Sequence, residues 1–365
     1  MKIKDIINVL ENFAPPSLQE AYDNAGLITG NKETTCTGIL CTLDATEAVV
    51  EEAIKNNCNA VVTHHPVVFR GLKSITGRNY VERIIIKAIK HDIAIYAIHT
   101  NLDNILAGVN GKMADLLGLV DRRVLLSKKD SLKKLFTYVP RDHAEQLRKS
   151  VWAAGAGHIG NYSECSFNTS GQGTFRGGEE TDPFVGRRGE LHTEEEIKVE
   201  IIFPSWVQAQ IVSALINAHP YEEPAYDIVA LDNTFDRVGS GLTGILPQPV
   251  DEKTLLAQLK SIFKLSIIRH TALTGRSIKT VSLCGGAGSF LIPNALRENS
   301  DMFITADMKY HEFFDAEERM VIADIGHYES EQFTIDLIYD ILREKFPTFA
   351  VLKTAVNTNP VFYYA

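Results

Sequence analysis

Three short segments of the chain gather the side chains that bind divalent metal ions: His64-His65-Pro66, His99-Thr-Asn-Leu-Asp103, and Asp324-Ile-Gly-His327 with Glu331 four residues on. Each follows an apolar run, Ala60 to Thr63, Ile93 to Ile98 and Met320 to Ala323, that reads as a buried strand. Open α/β sheets bind ligands outside the carboxyl ends of their strands, so the three segments are expected to bring imidazoles and carboxylates to one edge of one sheet. His327 and Glu331 are spaced to share a helix face. Adjacent His64 and His65 point to opposite sides of an extended chain, which suits contact with two ions. Imidazole and carboxylate donors without thiolate fit zinc, manganese, iron or cobalt. Five side chains, with one carboxylate such as Glu331 bridging, hold two ions and leave positions for water, an arrangement suited to metal-assisted hydrolysis. A lone histidine or a single His-x-x-x-Glu pair is most often structural. The convergence of three such segments on strand ends is what carries the metal reading.

Other motifs are weaker. Cys284-Gly-Gly-Ala-Gly-Ser289 follows a strand, and its amides could cradle a phosphate, or the glycines could simply permit a tight turn against a neighbour. Asp307, Lys309 and His311, in Thr305-Ala-Asp-Met-Lys-Tyr-His311, are candidates for the same edge as substrate contacts or as partners of ligands, although a capped helix start explains them almost as well. His99, also at a strand end, is a candidate to orient a ligand or relay a proton. Tyr22-Asp23-Asn24-Ala25-Gly26 reads as a structural or site-lining turn. Gly239-Ser-Gly-Leu-Thr-Gly244 matches a dinucleotide fingerprint only formally, because Pro247 and Pro249 forbid the helix that should follow.

The elements that must position these residues are βα units. In the first third, Thr37 to Thr42, Ala60 to Thr63 and Ile93 to Ile98 read as strands, with helices over Ala45 to Lys55 and Val81 to Lys90. The last third repeats the pattern, with strands at Thr280 to Leu283, Met302 to Thr305 and Met320 to Ala323 and a helix over Glu331 to Leu342. Between them lies a segment with its own alternation: strands at Lys133 to Val139 and Ile197 to Phe203, helices at Ala144 to Ala153 and Trp206 to Ala218, and a polar, glycine-rich stretch from Asn168 to Gly189. We read residues 127–232 as a domain inserted into a discontinuous outer domain of residues 1–126 and 233–365. The fold class is α/β. Within the insert, Gly157-His-Ile-Gly-Asn-Tyr162 and His219-Pro-Tyr-Glu-Glu-Pro224 stand out, read as a turn and a helix-to-strand connection.

Composition narrows the function classes. A net charge of -9 disfavours a broad grip on nucleic acid, which depends on basic patches that displace counterions. No apolar run approaches the ~20 residues of a membrane span. The N-terminal segment reads as an amphipathic helix stopped by Pro15 and Pro16 rather than as a secretion signal. The 5 cysteines form no Cys-x-x-Cys pair and are expected to be reduced, buried thiols of a cytoplasmic protein.

The motifs Asp23-Asn-Ala-Gly-Leu27, Thr63-His-His-Pro66, His99-Thr-Asn-Leu-Asp103, Cys284 to Ser289, Thr305 to His311 and Gly326-His-Tyr-Glu-Ser-Glu331, in this order, resemble the YbgI/YqfO, or NGG-interacting-factor-three-like, family, often called GTP cyclohydrolase 1 type 2 homologues. The resemblance spans both halves of the outer domain. The inserted segment is similar to that of the longer bacterial members, a ferredoxin-like α+β domain, and the outer domain of two βα-rich halves is then expected to form a three-layer-like sandwich. The resemblance implies a dinuclear metal centre on His64, His65, Asp103, His327 and Glu331, two divalent ions per subunit, and a homohexameric ring with the sites facing an interior cavity. Tyr22 stands where many members carry tryptophan, and Ala306 where glycine is common; neither is a proposed ligand. Two functions follow as expectations. One is a metal-dependent hydrolase of a nucleotide or other phosphorylated small molecule. The other is a non-catalytic regulatory or scaffold protein with a ligand-sensing insert.

Overall fold

The computed structural model describes residues 1–364 and shows a mixed α/β protein. The chain separates into two compact units, one of residues 1–127 and 236–365 and the other of residues 128–235.

The first unit contains two sheets. One has five strands in the order Gly26–Thr29, Ala94–Ala97, Ala60–Thr63, Ile39–Thr42, Val351–Lys353. All of its pairings are parallel except the first. Its central strands are buried along their whole length, as continuous apolar runs require in a parallel sheet. The other sheet has six strands in the order Arg269–His270, Val321–Asp324, Met302–Ala306, Ser277–Ala287, Gly239–Asp251, Val120–Ser127. Its middle three strands are parallel and its flanks antiparallel. The strands that carry the metal-binding motifs are therefore divided between two sheets. Those before His64 and His99 belong to one and the strand before His327 to the other, which corrects the single-sheet placement expected from sequence. Local apolar pattern marks a strand but does not say which sheet it joins.

Helices tie the two sheets together. Val109–Leu116 gives Val109 to the core beneath the first sheet and Met113 and Ala114 to the core beneath the second. Thr334–Lys345 packs Ile338 and Leu342 into the first core beside Ile3, Ile6, Ile7 and Leu10 of the N-terminal helix Ile3–Phe13. That helix ends where sequence places it, with Ala14, Pro15 and Pro16 following. Gly239 to Gly244, the formal dinucleotide match, lies inside a thirteen-residue strand, so it forms no phosphate loop.

The second unit is a four-stranded antiparallel sheet in the order Phe167–Arg176, Leu191–Pro204, Leu132–Pro140, Tyr226–Ala230. Helices Ala144–Ala153 and Gln208–Ala218 give the chain order βαββαβ and pack Leu147, Val151, Ile211 and Leu215 against Leu135, Val139, Val199, Ile201 and Phe203. The polar, glycine-rich stretch from Asn168 to Gly189, to which sequence assigned no element, overlaps the ten-residue strand Phe167–Arg176. Four of the five cysteines are buried, Cys165 is half-buried, and all are free. Among the described residues no helix is long and apolar enough to cross a membrane.

Candidate metal centre

The site is assembled where strands stop. Ala60–Thr63 ends and the chain bends, so the rings of His64 and His65 do not point apart as in an extended strand but come together with centroids 4.8 Å apart. Ala94–Ala97 ends, and the short helix Thr100–Asp103 places His99 and Asp103 beside them. From the second sheet, Val321–Asp324 ends in a turn through Gly326 at φ 89°, and the helix His327–Glu331 begins. Asp324 organises that turn: its carboxylate accepts the amides of Gly326 and Met308, each at 3.1 Å, and pairs with Arg269.

Each of the four histidines has its Nδ1 occupied. His64 Nδ1–H donates to the Ile98 carbonyl at 2.9 Å, His65 to Asp44 Oδ1 at 2.7 Å, His99 to Asp23 Oδ1 at 2.8 Å and His327 to Asp307 Oδ2 at 2.7 Å. Pinning Nδ1–H fixes the ring and leaves Nε2 as the free nitrogen, the arrangement metal-binding histidines use. The Nε2 atoms gather on one buried carboxylate. His65 and His327 reach Glu331 Oε2 at 3.0 and 3.1 Å and each other at 3.3 Å. His64 Nε2 lies 3.6 Å from Asp103 Oδ1 and 4.0 Å from Glu331 Oε1. His99 joins His64 and His65, its ring 5.2 and 5.4 Å from theirs.

Three buried polar atoms here have no hydrogen-bond partner: His64 Nε2, Asp103 Oδ1 and Glu331 Oε2. The contacts to Oε2 are close but poorly directed for hydrogen bonds. A native fold rarely leaves buried polar atoms unpaired, and three converging in one place mark a site built for something else. The surroundings are shaped to the same end. A Cβ on Gly286, whose φ is +62°, would sit 2.5 Å from Glu331 Oε1 and 3.1 Å from His327 Cε1. The Gly285 amide donates to Asn110 Oδ1 and the Gly286 amide to Ser330 Oγ, each at 3.0 Å. Those two amides are thus committed to side chains, and this part of the glycine-rich turn serves to pack beneath Glu331 rather than to cradle a phosphate.

Electrostatics follow the geometry. Burial drives His64 down to about 3, so it is neutral. Burial also disfavours charge on His65 and His327, but Asp44 and Glu331 raise His65 to about 10, and Glu331 and Asp307 raise His327 to about 11. Burial opposes ionisation of Glu331, yet His327 and His65 hold it well below the usual carboxylate range. Burial and then the Glu331 charge push Asp103 well above that range. Burial alone would raise Asp23, but hydrogen bonds from His99 and Thr100 bring it down to about 2.

The structure thus brings His64, His65, His99, Asp103, His327 and Glu331 together. It does not bring Lys309 or His311 into the cluster. The exposed Lys309 caps the short helix Tyr310–Ala316 and pairs with Glu312 at 3.8 Å, and the exposed His311 packs against Tyr310 and Phe314. Asp44 was missed from sequence, although it lies two residues past the end of Ile39–Thr42 and the same strand-end argument reaches it. Thr358, whose hydroxyl donates to Asp44 Oδ2 at 2.6 Å, carried no signal at all. Asp44→Asn is expected to weaken divalent-metal affinity about 10- to 100-fold, because the His65 ring loses its charged support; chelator competition measures it, and unchanged affinity would remove Asp44 from the site.

The model of the Duf34/NIF3 (NGG1p interacting factor 3) family matches residues 1–360. A Halalkalibacterium halodurans protein named GTP cyclohydrolase 1 type 2 homolog is 39% identical over 360 residues, 97% of each chain. A Bacillus subtilis protein of the same name is 37% identical over 327 residues, 89% of this chain and 88% of that one. Among solved structures, a Bacillus cereus protein related to NIF3 is 34% identical with a TM-score of 0.87, covering 100% of this chain and 99% of that one. A Staphylococcus aureus protein, 28% identical, has a TM-score of 0.78 and the same coverage.

Proposed function

Since this chain belongs to the Duf34/NIF3 family, we propose that it is a dinuclear metal-dependent hydrolase acting on a nucleotide or another phosphorylated small molecule. The observation that carries the metal reading is the convergence of pinned imidazoles on Glu331, with His64 Nε2, Asp103 Oδ1 and Glu331 Oε2 left without hydrogen bonds. The donor set divides by distance into two groups that share Glu331, namely His64 with Asp103 and His65 with His327. Nitrogen and carboxylate donors without thiolate suit two zinc, iron, manganese or cobalt ions. When bound, such ions supply Lewis acidity and make water acidic near neutral pH.

The protein's own residues supply the rest. Glu331 balances charge at the centre, and Gly286 leaves room for it. Asp44, Asp307 and Asp23 hold the rings of His65, His327 and His99 in one orientation. His99, with Nδ1 held by Asp23 and a ring edge against Phe69, is the group placed to carry a proton beside the site. The GTP in the relatives' names is one version of the nucleotide substrate. The same reading takes the βαββαβ unit as a ferredoxin-like domain inserted at residues 127–232, and the assembly as a homohexameric ring in the cytoplasm.

The test is the metal-to-protomer ratio of purified protein, measured by plasma mass spectrometry, followed by a phosphoesterase and nucleotide-hydrolase screen with the metal found. About two ions per protomer, and turnover lost on chelation and restored by that metal, is the expected result. Protein that takes up no zinc, manganese, iron or cobalt would sink the reading.

A further inference from the structure

The unit of residues 128–235 contains a cavity of about 620 Å³ that the metal centre does not use. Its size is that of a small-molecule site. Its floor is the sheet where Phe167–Arg176 pairs with Leu191–Pro204, and its walls include Phe175, Phe184 and Tyr221.

One group there is unusual. Glu196 is only 9% exposed, yet among the described residues no cation lies in ion-pair reach of it. The two basic residues that line the cavity are engaged elsewhere. Lys198 Nζ pairs with Glu200 at 3.0 Å and lies over the Phe136 ring, and Arg176 donates to the Gly189 carbonyl at 2.6 Å. Glu196 Oε1 accepts the Tyr221 hydroxyl at 2.9 Å, and among the described residues Oε2 accepts no hydrogen bond. Oε2 is not sealed from solvent, and Glu196 lines the cavity, so that oxygen is open to what the cavity holds. Backbone and side chains around it are arranged to keep it so. A Cβ on Gly173 would lie 2.1 Å from Oε2, so only glycine lets the carboxylate lie across that strand. Tyr221, which steadies Oε1, is itself fixed: its amide donates to His219 Nδ1 at 3.1 Å, and His219 Nε2–H donates to the Tyr138 carbonyl at 2.9 Å. Within the His219-Pro-Tyr-Glu-Glu-Pro224 motif, His219 and Tyr221 thus act together to hold Glu196.

Around the carboxylate stand rings. Tyr221 lies 6.0 Å from Phe175 and 6.3 Å from Phe184 between centroids, all tilted rather than stacked, with Phe184 52% exposed. Aromatic faces favour a flat guest, and an unpaired carboxylate oxygen beside a bonded one favours two adjacent N–H donors. We propose that this cavity is a second ligand site, for a flat nitrogen heterocycle that presents adjacent N–H donors to Glu196. An aminopurine or aminopyrimidine edge has that chemistry.

Titration calorimetry on the full-length protein tests it, with 2-aminobenzimidazole and guanosine as probes. Benzimidazole keeps the shape but lacks the second donor, and agmatine keeps the donors but lacks the ring. Expected is saturable binding of at least one probe, weakened at least about tenfold by Glu196→Gln and by Phe184→Ala, with both controls at least tenfold weaker and metal content unchanged. Phe184 is half exposed, so its replacement leaves a folded protein even if Glu196→Gln does not. Absence of binding by both probes, affinity indifferent to both substitutions, or agmatine binding as well as the heterocycles overturns the proposal. Because metal content is read in the same samples, failure here is distinguishable from failure of the metal reading.

Discussion

Glu331→Ala is expected to abolish metal binding and to lower the unfolding free energy of the metal-free protein by about 3 kcal/mol. The first effect follows from position. Glu331 is the one side chain that His64, His65 and His327 all approach, so its loss exceeds the ~10- to 100-fold penalty of removing an outer hydrogen-bond partner. The second follows from charge. In the metal-free protein the carboxylate sits between two imidazoliums, and removing it leaves them facing each other across 3.3 Å. Orphaning part of a buried ion pair costs ~3 to 5 kcal/mol, and the lower end applies because His327 is partly exposed to water. The sign with pH is set by the histidines. Their folded values are raised, so the stability they contribute is fully present below the unfolded value of about 6.5 and is lost as pH rises through about 10 and 11. The destabilisation by Glu331→Ala is therefore expected to be large near pH 6 and to shrink toward pH 10. Denaturant unfolding of chelated protein across that range measures it, and a penalty independent of pH would show that Glu331 acts only through packing.

How much of this was legible in sequence depended on where the information lies. Strands such as Ala60–Thr63 and Met302–Ala306 are buried on both faces, so their own residues announce them. The histidines and carboxylates after them stand out because such side chains have no reason to end a buried strand unless they have work there. Phe167–Arg176 was invisible as a strand because its residues, Asn, Thr, Ser, Gly and Gln among them, are mostly exposed, and what makes it a strand is its ten-residue register with Leu191–Pro204. Val120–Ser127, likewise largely exposed, is held by pairing with Gly239–Asp251 across more than a hundred residues of sequence. The division of the site between two sheets and the meeting of His64 with His65 are consequences of tertiary packing. Thr358 reaches Asp44 from the far end of the chain, and no local pattern connects them.

The metal affinity of this site is expected to rise at least about a hundredfold per pH unit between pH 7 and 9, because binding must displace at least two protons. His64 is already neutral, since burial holds it near about 3, and offers Nε2 without cost in protons. His65 and His327 are different. Their values of about 10 and 11 keep both protonated at neutral pH, and a cation can take their Nε2 only after those protons leave. Glu331 is ionised throughout and releases none, while Asp103, pushed up by burial, adds a further proton wherever it is still protonated, so two is the minimum count. Each displaced proton contributes a factor of about ten per pH unit, so two give a hundredfold until pH reaches the first histidine's own value. Calorimetric titration with Mn²⁺ or Co²⁺ in buffers of different ionisation enthalpy counts the protons directly. A release of at least about two per protomer at pH 7.5, falling by about one in Asp44→Asn, is expected, because Asp44 is the hydrogen-bond partner that does most to keep His65 charged. Release near zero would mean that cations bind without using His65 and His327, and the ligand set would contract to His64, Asp103 and whatever lies beside them.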